Sequence, residues 1–307
     1  MAELDAVIAS LPEMAGLCDL VREPLRQDRR GLATGNFEFK LWPLLPLMAC
    51  ESICGKFEQA LPVAAARQFL LAAADVFDDV EDADSPASMS ARYGAPVATN
   101  VATTLVILAE TAITRLATRG VASDTVIRAS YLLNSYYLTA CAGQHLDLAF
   151  NIDVADLEDA YLKMTAMKSG SQTECACHLG ALLANANQDL IDKFSKFGNN
   201  IGMASQIAND IQGIVDGSDI LKPKITLPVI FAWTQADQNG RKQLERTFRN
   251  SSNSSSDLSQ VRETLFQCGA IQYALVKVEY YKQQARDTLS EVEDLGVNME
   301  RLKLFLE

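Results

Sequence analysis

The stretch FLLAAADVFDDVEDAD, Phe69 to Asp84, passes from apolar to densely acidic, and its last eleven residues, from Ala74, carry six carboxylates. At about 3.6 residues per turn, Asp75, Asp78, Asp79 and Asp82 fall at i, i+3, i+4 and i+7, so they share one side of a helix. Like charges stacked this way repel by roughly a few tenths of a kcal/mol per pair. Burial raises that cost unless cations neutralise the cluster. A solvated acidic helix end is the plain alternative. The apolar residues ahead of the cluster argue against it, because a helix face that is first apolar and then acidic describes the wall of a deep pocket with carboxylates at its mouth.

The rest of the chain is consistent with a helical protein. Ala and Leu outnumber β-branched residues, and helical patterns dominate. Helices are expected near 2–22, 39–55, 60–82, 97–119, 123–150, 155–167, 169–185, 188–216, 226–238, 241–249, 256–267, 270–292 and 298–306. Pro96, Pro223 and Pro228 mark starts, and Gly120 marks an end. The segment SSNSSSD, 251–257, reads as a surface loop with Asp257 as a helix cap. No repeat or compositional break divides the 307 residues, so a single all-α domain over 1–307 is expected.

Charge and cysteine usage exclude several function classes. A net charge of -12 and a pI near 4.7 argue against nucleic acid or an anionic membrane as the main partner. The seven cysteines are scattered among apolar or small residues, which suits reduced thiols and a cytoplasmic setting. CACH at 175–178 resembles a zinc motif, but the chain has only two histidines and no second cysteine pair at ligand spacing. The N-terminus is acidic where a signal peptide is basic, and no stretch of about 18 uninterrupted apolar residues marks an integral membrane segment.

A second polar cluster follows about 130 residues after the first, in ASQIANDIQGIVDGSDILKPKITLPV. Asn209, Asp210 and Gln212 sit on a helix, with Asp216, Asp219, Lys222 and Lys224 beyond it. On its own, this is an ordinary polar helix end. Two oxygen-rich clusters on separate helices, with lysines nearby, suit a divalent cation bound together with a diphosphate, since Mg²⁺ favours a few carboxylates plus water and phosphate oxygens.

Five motifs, in order, resemble those of the all-trans isoprenyl diphosphate synthases, the polyprenyl synthetase family. Asp78-Asp79-Val80-Glu81-Asp82 is similar to the first aspartate-rich motif, DDxxD. Gly143-Gln144-His145-Leu146-Asp147 matches GQxxD, and MKSGSQTECACHLGALLA places Lys168 and Ser169 on a Lys-Thr pair. Residues 205–213, SQIANDIQG, are similar to FQxxDDxxD, with Asn209 for its first Asp and Gly213 for its last. LKPKITLP resembles the GKxTLP loop and assigns Lys224 as its diphosphate-binding lysine. The resemblance implies an all-α isoprenoid synthase (class I terpenoid synthase) helical bundle with a central cavity, and a homodimer.

It also implies residue roles. Asp78, Asp79 and Asp82 would hold Mg²⁺ from one wall of the cavity, with Asn209 and Asp210 facing them, for about three ions with bound diphosphate. Lys168, Lys224 and Arg92 would bind the diphosphate. Gln206, Gln144 and Ser169 would steady the allylic cation, while Phe69, Ala73 and Ala74 would line the prenyl pocket. Positions 73 and 74 carry a bulky aromatic in short-chain members, so alanines there imply room for a C15 or C20 allylic diphosphate.

The half of the site that binds isopentenyl diphosphate departs from the family. Glu38 and Phe39 replace Gly-Lys, Trp42 replaces an arginine, and Leu71 stands where a histidine is expected. Lys40 can stand for one of the family's arginines, and only Arg92 follows the acidic motif. A diphosphate needs several compensating cations or donors. The asymmetry resembles the ComQ-type prenyltransferases, which modify a peptide tryptophan, and also the terpene cyclases of this fold. The expected reaction is therefore ionisation of an allylic diphosphate and transfer of the prenyl cation to a small-molecule or peptide acceptor. Cyclisation and divergent chain elongation are the alternatives.

Overall fold

A computed structural model describes residues 1–12, 16–26, 41–82, 87–221, 223–249 and 255–307. Fifteen α-helices and no strand occur among them: α1 Ala2–Ile8, α2 Leu17–Arg26, α3 Leu41–Cys54, α4 Leu61–Asp82, α5 Met89–Tyr93, α6 Ala95–Thr114, α7 Ser123–Leu148, α8 Leu157–Thr165, α9 Ser171–Leu183, α10 Gln188–Asp216, α11 Ser218–Leu221, α12 Leu227–Gln235, α13 Gln238–Arg249, α14 Ser255–Gln267 and α15 Ala270–Glu293. Short 3₁₀ turns follow α3, α6 and α15.

Three expectations need correction. The helix expected over 2–22 is two helices, because Pro12 cannot donate a helical hydrogen bond and Gly16 takes φ +84. The turn after the acidic motif contains α5, whose start is capped by Ser88 Oγ accepting from the Ala91 N–H at 3.0 Å. Finally, α14 begins at Ser255, so Asp257 lies in its first turn and is not its cap. The Glu38, Phe39 and Lys40 departures lie outside the described residues.

The chain forms two compact units, Met1–Leu133 with Ala176–Ile191, and Asn134–Cys175 with Asp192–Glu307. In the first unit, α4 packs along α6 and against α1, α2, α3 and α5. From Val63 to Ala73 it is buried all round, with Phe69 wholly enclosed, as expected of a helix apolar on every side. Glu3 of α1 accepts from Arg115 Nε at 2.6 Å and pairs with Arg119, which ties α1 to the turn after α6. Burial alone would raise the Glu3 carboxyl, but the two guanidinium groups outweigh it and lower its pKa. In the second unit, α8, α10, α12, α14 and α15 share a core that includes Tyr161, Ile207, Ile211, Leu227, Ile230, Val261 and Ala274.

Two helices have the length and mean hydropathy to cross a membrane, Glu58–Glu81 and Ala95–Arg119. They run through α4 and α6 and pack on each other. The most apolar window of the first is 78% buried, so its hydropathy reflects the protein interior.

Candidate active site

In the first unit, the site residues lie on and just after α4. Beyond Ala73, which is 2% exposed, the helix begins to open. Ala74, Asp75 and Asp78 are half-buried, while Asp79 stays buried. Asp82 ends the helix. Ser90 Oγ donates to the Asp79 carbonyl at 3.1 Å and fixes α5 beneath the acidic motif. Arg92, expected to bind diphosphate, pairs with Glu23 of α2, sends Nε to Ala87 O at 3.2 Å and stacks over Tyr93. Leu71 is buried, and the buried Arg67 donates from Nε to the Trp42 carbonyl at 2.9 Å.

In the second unit, the lysines converge on Asp147 of α7. Lys168 Nζ lies 2.6 Å and Lys224 Nζ 3.3 Å from Asp147 Oδ2. Lys168 and Ser169 sit in a π-helical turn, Ala166–Gly170, between α8 and α9. Such turns widen a helix by one residue and recur at functional positions. Gly143 makes the approach possible, because a β-carbon there would lie 2.3 Å from Lys168 N. This explains the first residue of the GQxxD motif: α7 must touch the backbone that presents the lysine.

The Asp210 carboxylate on α10 is the other anchor. Ser169 Oγ donates to Gln206 Oε1 at 2.7 Å, and Gln206 Nε2 donates to Asp210 Oδ1 at 2.8 Å. Tyr161 of α8 donates its hydroxyl to Asp210 Oδ2 at 2.5 Å. Asn209, one residue earlier, is exposed, and Gln144 is half-buried one turn before Asp147.

Charge in this pocket is out of balance. Burial pushes the Asp210 carboxyl up, and Lys224, Tyr161 and Gln206 offset this only in part. Burial and the neighbouring Asp210 push Asp219 up to about 7. Lys224 moves upward too: burial opposes its charge, but Asp147, Asp210 and Asp219 prevail. The Thr226 hydroxyl, on a residue 1% exposed, lines the same pocket and has no partner among the described residues. The Asp210 carboxylate and the unpartnered Thr226 hydroxyl offer oxygen donors of the kind a hard divalent cation takes. No group of three or more His, Cys, Asp or Glu side chains that could hold a metal ion by itself occurs among the described residues.

Sequence reading missed Tyr161, the donor that orients Asp210. Its position seven residues before Lys168, on the same helical face, was the available signal.

The fold and these motifs together define an all-helical prenyl-transferring enzyme acting on allylic diphosphates. The polyprenyl synthetase profile matches residues 40–265, so the chain belongs to that family. The geranylgeranyl diphosphate synthase of Sulfolobus acidocaldarius is 28% identical over 266 residues, 82% of this chain and 80% of its own. The tryptophan prenyltransferase ComQ of Bacillus spizizenii is 29% identical over 238 residues, 76% and 80%. Among solved structures, the geranylgeranyl pyrophosphate synthetase of Pyrococcus horikoshii superposes with a TM-score of 0.84 over 99% of this chain and 92% of that one, at 22% identity.

Proposed function

We propose that this enzyme ionises a C15 or C20 allylic diphosphate and passes the prenyl cation to an acceptor other than isopentenyl diphosphate. One contrast carries the reading. The residues that would engage the allylic diphosphate, Asp147, Lys168, Lys224, Gln206 and Asp210, line one pocket. The isopentenyl side has Leu71 for a histidine and Trp42 for an arginine. ComQ supports a non-isopentenyl acceptor. The geranylgeranyl diphosphate synthases support elongation, and cyclisation needs no acceptor.

Mg²⁺, on which this family generally depends, would be held by Asp78, Asp79 and Asp82 and by Asn209 and Asp210, and supplies charge stabilisation to the departing diphosphate. Lys168 and Lys224 bind phosphate oxygens, and Asp147 keeps both ammonium groups in place. Tyr161 and Gln206 orient Asp210, while Ser169 orients Gln206, whose amide oxygen faces developing positive charge. The apolar wall of Phe69, Ala73 and Ala74 excludes water that would quench the cation. A cytoplasmic homodimer completes the reading, consistent with seven free cysteines.

The test is incubation with geranyl, farnesyl and geranylgeranyl diphosphates and Mg²⁺, with and without isopentenyl diphosphate, followed by product analysis. Allylic diphosphate is expected to be consumed without extension. Asp78→Ala and Asp79→Ala should abolish consumption with the fold intact. Efficient formation of a longer prenyl diphosphate would restore the elongation reading.

A further inference from the structure

Gly213 stands where the resembled second motif ends in aspartate, and a different residue occupies the space. A β-carbon at Gly213 would lie 2.3 Å from Asp219 Oδ2 and 2.8 Å from Oδ1. The Asp219 carboxylate therefore lies where a side chain at 213 would begin.

The surrounding structure holds it there. Gly217 turns the chain at the end of α10 with φ +91, and a β-carbon on it would strike Leu258 Cδ1 at 2.6 Å. Arg262 of α14 donates to the Ile214 carbonyl at 3.2 Å and to the Val215 carbonyl, satisfying acceptors that the helix end leaves open. The Lys224 N–H donates to the Asp219 carbonyl at 3.0 Å. All of these contacts use backbone groups or Arg262. Among the described residues, no hydrogen bond or ion pair engages the Asp219 carboxylate, which lies over Gly213, one helical turn beyond Asp210 on α10.

We propose that Asp219 is the third oxygen donor of the second acidic site, reaching a divalent cation over Gly213 in place of the side chain that position lacks. The assignment rests on the reading of Asp210 as a metal ligand given above. It accounts for two sequence features together, a missing aspartate at 213 and a turn short enough to return an aspartate six residues later.

The test titrates the full-length protein with Mn²⁺ in the presence of inorganic pyrophosphate, following free Mn²⁺ by electron paramagnetic resonance. Asp219→Asn should weaken Mn²⁺ binding by roughly 10- to 100-fold, with thermal unfolding in the absence of ions confirming an intact fold. Gly213→Ala, which leaves Asp219 in the sequence but drives a β-carbon into its carboxylate, should show a comparable loss. The exchange Gly213→Asp with Asp219→Gly should recover most of the affinity. Binding by Asp219→Asn equal to that of the unaltered protein, with Asp210→Asn impaired, overturns this assignment and leaves the proposed function standing. Equal binding by both variants removes the second metal site as well.

Discussion

Asp147 shows how a single residue sets the electrostatics of this pocket. Burial by itself would raise its carboxyl, yet the Lys224 and Lys168 ammonium groups outweigh burial and hold its pKa below the ordinary carboxylate range. A depressed acid contributes stability that is complete above its unfolded pKa and is lost as pH falls through the folded one. Asp147→Asn is therefore expected to lower stability at neutral pH by about 2 kcal/mol. It should also flatten the decline in Tm below the ordinary aspartate value of about 3.9. Melting curves across that range check both, and parallel acid limbs would show that the pair does not form in solution. The sequence marked Lys168 and Lys224 by their motifs. It did not show that both meet one carboxylate, because that depends on how α7, the π turn and the 224 loop converge.

At the level of elements, α4 is legible in the sequence, as is α10, whose expected bounds of 188–216 are those observed. The apolar run and acidic end of α4 were read to within a residue, since a period of about 3.6 needs no tertiary partner to be recognised. Of the two alanines assigned to the prenyl pocket, Ala73 is buried and Ala74 keeps accessible surface one turn before Asp78. Ala74→Phe should therefore impair use of the longest accepted allylic diphosphate more than that of geranyl diphosphate, as relative kcat/KM values would show. Equal loss at every length would mean that Ala74 packs against protein. The π turn at Ala166–Gly170 was not legible, because the sequence reads as two ordinary helices there. Gly143→Ala should destabilise the fold by roughly 1–3 kcal/mol through overpacking against that turn. Activity should fall further than stability predicts, since the clash falls on Lys168; urea melts paired with turnover assays separate the two.

For the whole molecule, exposed apolar side chains suggest how copies assemble. Ile107 of α6 and Ile127 and Tyr131 of α7 are 60%, 68% and 71% exposed in the first unit, and uncovered apolar surface of this kind marks an association face. Sedimentation should give about twice the 33.5 kDa chain mass, and Ile127→Glu with Tyr131→Glu should shift it to the monomer. A monomer from the unaltered chain would remove the homodimer. The sequence alone determined the all-helical class, the two acidic clusters and the lysines. Each is written in periodicity or in residue type, which a linear chain carries directly. Only tertiary structure decided that Tyr161 orients Asp210, that Arg92 is engaged by Glu23, and that Asp219 fills the space above Gly213. Those pairings join residues separated by 49, 69 and 6 positions, and helix packing and the turn at Gly217 bring them together, not any local pattern along the chain.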